Sequence, residues 1–495
     1  MKQSVQTPTL ETARAYAQDG AFQTIPLSRE LLADLRTPLQ VLQALQNVSS
    51  HVFMLESVED RTRWGRYTFL GYDPGLELSC RAGRLRVGGA TRITLDNADP
   101  RAAVRQVLAE NKSPRLPGLP SFTGGLVGYF GYDYIRYSEP TLALTARDEE
   151  QFNDVDLMLF DKIIAFDHFR QKIILMANIH TKDLETEYRR GVRALDEMEA
   201  LVRRGQPRPI PPARLESAFR PLFTKEQYCA MVARAKQYIY EGDIFQVVLS
   251  NRLEADFSGS LLDPYRVLRT LNPSPYMFYF SSEDIELAGA SPETLVKLEN
   301  GVVHTFPLAG TRPRGKTDAE DRALEAELLA DEKEGAEHAM LVDLGRNDIG
   351  RISEFGSVAV DRYRSVERFS HVMHIGSSVR GTLRAGLTAV DAVDAILPAG
   401  TLSGAPKLRA CQIINELEDN KRGIYGGAVG YLDFAGNLDT CIGIRLAFAK
   451  NGRVFVRSGA GIVADSVPEN EYQECLNKAG AVLKALELGQ GGLDE

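Results

Sequence analysis

Two pairs of glutamates in the sequence share a spacing that could hold a metal ion. Glu334 and Glu337 stand three residues apart, and Glu471 and Glu474 repeat that spacing near the end of the chain. Residues at i and i+3 lie on one face of a helix, so each pair would present both carboxylates together. Four converging carboxylates suit a hard divalent cation such as Mg²⁺. The same spacing is also typical of solvated helix faces, and spacing alone does not separate the two interpretations.

A second group of charged residues is cationic. Arg312, Arg314 and Lys316 follow the pair Gly310 and Thr311, in a chain whose formal net charge is -9. A negative overall charge gives no electrostatic footprint for nucleic acid, so this cluster is expected to serve a small anion.

Two glycine-containing loops have backbone N–H groups that could receive a carboxylate. The segment 398–418 carries Thr401 and glycines before a predicted helix, and the segment 456–466 carries Gly459 and Gly461 after a predicted strand. The first is not a Walker A loop, so nucleotide binding is not supported. Either loop could equally serve only as a turn.

Polar residues also interrupt two predicted strands. His371 and His374 stand three apart in a β-branched run. Positions three apart in a strand point to opposite faces, so these histidines are not expected to ligate one ion. One of them could face a site, or be hydrogen-bonded within a sheet. Gln246, in the predicted strand 244–250, needs hydrogen-bond partners if both faces of that strand are covered.

Composition indicates a globular protein with more than one structural unit. The chain has 495 residues, of which 44% are hydrophobic, enough to bury a large core. No segment approaches the roughly 18 apolar residues that span a bilayer, so no membrane association is expected. Five cysteines without a CxxC pair are typical of reduced thiols. We therefore expect a cytoplasmic protein.

The clearest boundary is a proline-rich segment, residues 204–216, which is predicted to be a linker. Its prolines end an apolar stripe of helical spacing. Before it, residues 20–203 are rich in short β-branched and aromatic runs, which predict strands. After it, in 217–488, helices and strands alternate, and Thr224 is predicted to cap the first helix. The tail 489–495 is expected to be flexible.

Nine short motifs resemble those of the chorismate-utilising enzymes and occur in the family's order. They are GDIFQVVLS, GASPETL, PLAGTRPRG, EHAMLVDLGRND, VMHI, PAGTLSGAPK, YGGAVGY, DTCIGIR and SGAG. Within that family, the chain is most similar to the large subunits of anthranilate synthases. The resemblance implies an α+β fold in which large, mainly antiparallel sheets pack orthogonally with helices outside.

The resemblance also assigns site residues. Those implied to bind chorismate are Gly310, Thr311, Thr401, Tyr425, Arg445, Gly459, Ala460 and Gly461. Glu337 and Glu474 match the direct Mg²⁺ ligands of the family, and Glu334 and Glu471 match outer carboxylates that act through water. The arginines of the cationic cluster could then hold their loop or neighbouring carboxylates instead of the substrate.

The family's reaction displaces a hydroxyl from the chorismate ring, and hydroxide is a poor leaving group unless a general acid protonates it. Glu293 matches that acid, and His374 matches a histidine that assists proton transfer or pyruvate loss. Members that add water carry a lysine base at the position of Gln246, where a neutral amide suits ammonia. Many aminodeoxychorismate synthases carry a nucleophilic lysine where this chain has Ala309. The resemblance therefore implies anthranilate formation, with aminodeoxychorismate synthesis as the alternative.

Two further segments match the tryptophan feedback pocket of anthranilate synthases. The candidate tryptophan-binding residues are Glu56, Ser57, Pro275, Tyr276 and Met277, with Glu56 as a partner for the ligand's ammonium. A strand end packed on an aromatic loop would have the same pattern. A catalytically silent tryptophan sensor is a further alternative, which the acid and the metal-binding glutamates disfavour.

No glutaminase is expected within the chain, because no long extension carries a cysteine nucleophile with a distant histidine and glutamate. Ammonia would then come from solution or, as the resemblance implies, from a separate glutamine amidotransferase subunit in a heterotetramer.

Overall fold

The structure is a computed structural model that describes residues 6–18, 20–57, 65–89, 92–368 and 372–493. In this part of the chain two large antiparallel sheets carry helices on their outer faces, which confirms the predicted α+β class. His371 lies outside the described residues. No helix within them is long and apolar enough to cross a bilayer.

Within the described residues, the first sheet has 13 strands. They are β1 (Thr24–Leu32), β2 (Val52–Glu56), β3 (Tyr67–Tyr72), β9 (Lys162–Asp167), β10 (Lys172–His180), β11 (Arg214–Leu215), β12 (Arg220–Pro221), β13 (Gln246–Ser258), β14 (Tyr276–Ser281), β15 (Glu286–Ser291), β21 (Gly404–Ala405), β24 (Leu446–Lys450) and β25 (Arg453–Ile462). Their order is β1-β10-β9-β3-β2-β14-β15-β24-β25-β13-β11, with β12 and β21 also paired to β13.

The second sheet has 12 strands in the same described ranges. They are β4 (Leu76–Arg81), β5 (Arg84–Gly88), β6 (Ile93–Leu95), β7 (Gly125–Phe130), β8 (Val155–Phe160), β16 (Thr294–Glu299), β17 (Val302–Thr305), β18 (Leu308–Pro313), β19 (Ala359–Arg368), β20 (Val372–Thr382), β22 (Ala428–Asp433) and β23 (Leu438–Ile442). Their order is β18-β20-β17-β16-β23-β22-β7-β8-β4-β5-β6, with β19 paired to β20.

Twelve α-helices complete the described part of the chain. They are α1 (Leu10–Gln18), α2 (Pro38–Leu45), α3 (Pro100–Glu110), α4 (Ile135–Ser138), α5 (Leu184–Arg204), α6 (Lys225–Tyr240), α7 (Leu262–Leu271), α8 (Asp318–Ala330), α9 (Glu332–Gly350), α10 (Ala389–Ile396), α11 (Lys407–Glu418) and α12 (Pro468–Leu488). The predicted capping box of α6 is present, since Thr224 and Gln227 exchange side-chain and backbone hydrogen bonds.

The two sheets face each other across an aromatic core. Phe53 and Phe69 of the first sheet pack with Tyr129 and Phe160 of the second. On its outer face the first sheet packs against α5 and α12, and the second packs against α9 and α10. Each sheet is therefore buried on both faces over much of its area, which explains its long apolar strands.

Both sheets combine strands from the two sides of the proline-rich segment. In the first sheet β2 pairs with β14, and in the second β7 pairs with β22. Residue Gln490, beyond α12, accepts a hydrogen bond from the backbone N–H of Leu215. The division of the chain at 204–216 stays a prediction, and the strand pairing runs across it.

Candidate active site

A cavity of about 730 Å³ opens where the ends of β13, β18 and β25 meet α9 and α12. Most of the site residues predicted from the sequence line it. They are Gln246, Glu293, Gly310, Thr311, Glu334, Glu337, His374, Thr401, Tyr425, Arg445, Gly459, Gly461, Glu471 and Glu474. Ala460 is different, because its methyl group is fully buried in a hydrophobic core behind the cavity.

Glu293 lies in the turn between β15 and β16 and has the properties of a general acid. Its Oε1 accepts a hydrogen bond of 3.1 Å from the hydroxyl of Thr401. Burial raises the pKa of Glu293 to about 7, although Thr401 and the nearby Arg445 act in the opposite direction. A carboxyl group with this pKa is substantially protonated at neutral pH and can donate its proton.

His374 on β20 has the properties of a proton acceptor at neutral pH. Burial lowers the pKa of His374, which favours the neutral imidazole. Its Nδ1 lies 2.7 Å from the carbonyl oxygen of Gly310 and 3.1 Å from the hydroxyl of Thr311. Donation from Nδ1–H to that carbonyl places the lone pair of the neutral ring on Nε2. One cavity therefore holds a proton donor and a proton acceptor at neutral pH.

Two glycines allow close approach around these groups. A Cβ added at Gly461 would lie only 2.8 Å from the amide nitrogen of Gln246, so the glutamine side chain rests directly on that backbone. Gly310 has a φ of +67°, and a Cβ there would lie 2.9 Å from Leu328 and 3.1 Å from the carboxylate of Glu334. The backbone conformation at Gly310 therefore favours glycine, whereas a side chain at position 461 would displace the amide of Gln246.

The four glutamates of α9 and α12 line one side of the cavity. Burial raises the pKa of Glu337, and the charges of Glu334 and Glu474 raise it further. Burial also raises the pKa of Glu471. Carboxylates that share one wall repel one another, and a divalent cation with oxygen ligands would relieve that repulsion. The donor set fits Mg²⁺.

These glutamates are not gathered around one point in this conformation. Among the described residues, no three acidic, histidine or cysteine side chains are close enough together to hold an ion. Instead, the Lys478 ammonium lies 2.6 Å from Glu474 Oε1 and donates to the carbonyl oxygen of Gly459. This ammonium would compete with a metal for the carboxylate of Glu474.

The two arginines of the cationic cluster after Gly310 pair with carboxylates of the protein itself. Arg312 pairs with Glu327 and Asp331, and Arg314 pairs with Asp321. The two arginines therefore hold α8 and the start of α9 against β18. The expectation that they serve a small anion is wrong for both, and the alternative that they hold carboxylates is correct.

The predicted tryptophan segments meet at another place in the first sheet. Met277 of β14 lies directly opposite Glu56 of β2, and Ser57 follows Glu56. Both carboxylate oxygens of Glu56 accept hydrogen bonds from Arg269, and Oε1 accepts another from Tyr265. A ligand ammonium would have to share this carboxylate with Arg269.

Tyr276, another of the predicted tryptophan-binding residues, lies near the turn that carries Glu293. The hydroxyl of Tyr276 bonds to Thr294, the residue after Glu293, and donates to Asp439. Pro275 directly precedes Tyr276 in the loop that leads into β14. None of the five predicted tryptophan-binding residues lines the main cavity.

Some cavity residues were not predicted from the sequence. Lys333, Arg457 and Asn470 line the cavity together with the predicted set. Asn470 lies in the first turn of α12 together with Glu471. The helical spacing around the glutamate pair could therefore have indicated that Asn470 lies near the cavity. Arg457 lies on an apolar strand, and nothing in the local pattern distinguishes it from a structural arginine.

Comparison with known proteins identifies a family and relatives that match nearly the whole chain. The model of the chorismate binding enzyme family matches residues 57–484. Anthranilate synthase component 1 of Acetivibrio thermocellus is 46% identical over 97% of this chain and 98% of its own length. The corresponding protein of Pseudomonas aeruginosa is also 46% identical, over 97% of this chain and 98% of its own length.

A solved structure supports the same assignment. Anthranilate synthase component I of Streptococcus pneumoniae superposes with a TM-score of 0.74 at 40% identity, covering 86% of this chain and 93% of that one. The family match covers well over half of the sequence and includes both glutamate pairs and the Glu293 turn. The chain belongs to the chorismate binding enzyme family.

Proposed function

We propose that the chain is the large subunit of an anthranilate synthase. It adds ammonia to carbon 2 of chorismate, expels the carbon 4 hydroxyl as water, and then eliminates pyruvate to leave anthranilate. The observation that carries this proposal is the cavity wall, where Gln246 and Ala309 stand together with Glu293. A neutral amide and a methyl group at these two positions leave the attack on carbon 2 to ammonia.

Glu293 and His374 divide the proton transfers. Glu293 gives its proton to the departing hydroxyl, and its raised pKa keeps that proton available at neutral pH. His374, kept neutral by its lowered pKa, takes the proton from carbon 2 as pyruvate leaves. The fixed bond from Nδ1 to Gly310 holds the ring in one orientation for that step.

Chorismate is a dianion, and its carboxylates need partners on the cavity wall. Arg445, Thr401 and backbone N–H groups of residues 459–461, which lie within β25 and not in the expected loop, are proposed to bind them. Glu337 and Glu474 would hold Mg²⁺ directly, with Glu334 and Glu471 acting through water. When bound, the ion neutralises a substrate carboxylate.

Ammonia is proposed to come from a separate glutamine amidotransferase subunit. The relatives carry the name component 1, which implies a second component. The two kinds of subunit are proposed to assemble as a heterotetramer.

Product analysis tests this function. Purified chain is incubated with chorismate, Mg²⁺ and an ammonium salt, and the products are identified by mass and fluorescence. We expect fluorescent anthranilate together with an equal amount of pyruvate, and no turnover when glutamine replaces ammonium. A 4-amino product that retains the enolpyruvyl group would instead assign an aminodeoxychorismate synthase, and a hydroxylated product would refute amination.

Replacement of Ala309 by lysine is expected to lower the rate of anthranilate formation at least about tenfold. The new amine would occupy the space beside carbon 2 and compete with ammonia as the nucleophile. Steady-state rates and intact mass after quenching measure the effect, because covalent attack would leave an adduct. Ala309→Met is the control of similar length without an amine. Wild-type rates in Ala309→Lys would contradict a role of this position in the reaction route.

The chain is also proposed to bind tryptophan as a feedback inhibitor at Glu56, Ser57, Pro275, Tyr276 and Met277. The support is that strand pairing brings the two predicted segments together. The bond from Tyr276 to Thr294 joins this region to the turn that carries Glu293.

Ser57→Ala is expected to raise the inhibition constant for tryptophan about tenfold and to leave kcat without tryptophan unchanged. The reason is loss of one hydrogen bond to a charged ligand. Inhibition curves are compared with those of Ser281→Ala, at the other end of β14, which should match wild type. Unchanged inhibition in Ser57→Ala would argue against this pocket.

A further inference from the structure

A buried cluster of charged and polar residues lies at the back wall of the cavity. It consists of Glu418 at the end of α11, Arg422 four residues later, Arg457 on β25 and Ser250 on β13. All four are almost completely inaccessible to solvent. Charged side chains are rarely buried in this way unless they are paired and hydrogen-bonded.

Glu418 holds the cluster together through both of its oxygens. Oε1 accepts hydrogen bonds from the backbone N–H of Ser250 at 2.7 Å, from the Ser250 hydroxyl at 2.9 Å, and from Arg422 Nη2 at 2.6 Å. Oε2 accepts from Arg422 Nε at 2.9 Å and from Arg457 Nη2 at 3.1 Å. Although burial alone would raise it, the pKa of Glu418 is lowered by the two guanidinium groups. The carboxylate is therefore ionised.

Arg422 connects the cluster to three parts of the cavity wall. Its Nη1 donates to the carbonyl oxygen of Leu402 at 2.6 Å, and its Nη2 donates to that of Val248 at 2.7 Å. Its guanidinium carbon lies 5.7 Å from the ring centroid of Tyr425. Leu402, Val248 and Tyr425 all line the cavity. One buried side chain therefore hydrogen-bonds two cavity segments that are distant from it in sequence and also lies near the ring of Tyr425.

Arg457 lines the cavity itself, two residues before Gly459. Its Nε donates to the Ser250 hydroxyl at 2.9 Å, and its Nη1 donates to Asn420 Oδ1 at 3.0 Å and to the carbonyl oxygen of Lys421 at 2.8 Å. With the bond to Glu418, four of its five N–H groups are used within the protein. Arg457 therefore acts on a ligand mainly through its charge and its fixed position.

The cluster carries more positive than negative charge. Two guanidinium groups face one carboxylate, and burial lowers the pKa of Arg457 only to about 10, so both arginines are charged at neutral pH. An unbalanced buried charge is unfavourable unless an ion of opposite sign approaches it. The carboxylates of an anionic ligand in the cavity would provide that charge.

We infer that the cluster of Glu418, Arg422, Arg457 and Ser250 is a positioning element for chorismate. It fixes the wall formed by Val248, Leu402 and Tyr425, and its surplus charge favours a dianion over a neutral molecule. This inference rests on the proposed function. Arg422 is a positioning residue in this scheme, since it acts through the wall and not through contact with the reacting atoms.

Substitution of Arg422 tests the inference by direct binding. Chorismate is titrated into the full chain with Mg²⁺ and without ammonia, and KM and kcat are then measured with ammonium. Arg422→Met is expected to raise the Kd and KM for chorismate at least about tenfold, with the KM for ammonium changed less than about twofold. Arg422→Lys keeps the positive charge but lacks the planar guanidinium group with its several N–H donors. It should therefore recover part of the affinity for chorismate that Arg422→Met loses.

Arg29→Met is the matched control. Arg29 is also a buried arginine paired with two carboxylates, Asp196 and Glu199, but it lies on β1, away from the cavity. Its replacement is expected to lower the melting temperature and to leave the Kd for chorismate unchanged. An equal loss of affinity in this control would mean that general destabilisation is the cause, and would overturn the inference.

The remaining outcomes also decide the question. A folded Arg422→Met variant with wild-type affinity overturns the inference. If that variant does not fold, Ser250→Ala decides, because it removes only the hydroxyl bonds to Glu418 and Arg457. A rise in Kd of about threefold supports the inference, and no change overturns it. Wild-type protein that binds no chorismate would overturn the proposed function as well, whereas unaffected variants of a binding wild type overturn the inference alone.

Discussion

Replacement of Glu293 by glutamine is expected to lower kcat about 1,000-fold while chorismate binding stays within about threefold of wild type. General acids contribute typically 10² to 10⁴ in rate, and this reaction has a particularly poor leaving group. Glutamine keeps the size of the side chain and can still accept the bond from Thr401, but its amide is not acidic enough to transfer a proton. Single-turnover rates and chorismate titration measure the two effects separately.

Glu286→Gln is the control for this substitution. Glu286 is another partly buried glutamate whose pKa is raised by desolvation, but it is bonded to Ser260 and does not line the cavity. Its replacement is expected to change stability and not the chemical step. Near-normal kcat in Glu293→Gln would remove Glu293 from the role of acid.

The pH dependence gives a second measure of the same group. Because burial places the pKa of Glu293 at about 7, its protonated fraction falls as the pH rises through that value. With rates normalised to free ammonia, kcat/KM for chorismate should therefore decline above about pH 7. Glu293→Asp should keep a declining limb at a lower overall rate. A profile that is flat from pH 6 to about pH 9 in wild type would contradict the assignment.

Replacement of Glu337 or Glu474 by alanine is expected to lower Mg²⁺-dependent turnover at least about 100-fold. Each change removes a proposed direct ligand, and in the proposed mechanism the ion neutralises a substrate carboxylate. Calorimetric titration of Mg²⁺ should show weakened binding independently of activity. Glu334→Gln and Glu471→Gln, at the proposed outer positions, should weaken the same binding about tenfold.

Glu487→Ala provides the control on the same helix. Glu487 lies near the end of α12, pairs with Lys484 and does not line the cavity. Its replacement should leave Mg²⁺ affinity and turnover unchanged. Unaltered Mg²⁺ binding in both Glu337→Ala and Glu474→Ala would place the ion elsewhere.

The parts of the site that were predictable from the sequence are those with a local pattern. The i, i+3 spacing of Glu334 and Glu337 needs only a helix to bring the carboxylates together, and α9 supplies it. The cap of α6 at Thr224 follows from neighbouring residues in the same way. The proposed role of Glu293 as the general acid rests on the family resemblance. An isolated glutamate in a turn has no spacing that would indicate such a role.

Features that depend on distant residues were not predictable. The charges of Arg312 and Arg314 suggested a small anion, because the sequence does not show that α8 folds back and offers Asp321 and Glu327. The cluster around Glu418 joins residues from three separated segments. No local pattern in any of these segments indicates that its polar residue is buried and paired. Burial and pairing arise here from tertiary structure.

The strand order has a consequence for how the chain reaches its native state. Because β2 must pair with β14 and β7 with β22, the early strands leave the ribosome well before their neighbours exist. Until synthesis passes those partners, hydrogen-bonding strand edges and apolar faces remain uncovered, which favours aggregation and holdase chaperones. Completion of the two sheets therefore requires that most of the polypeptide has been synthesised.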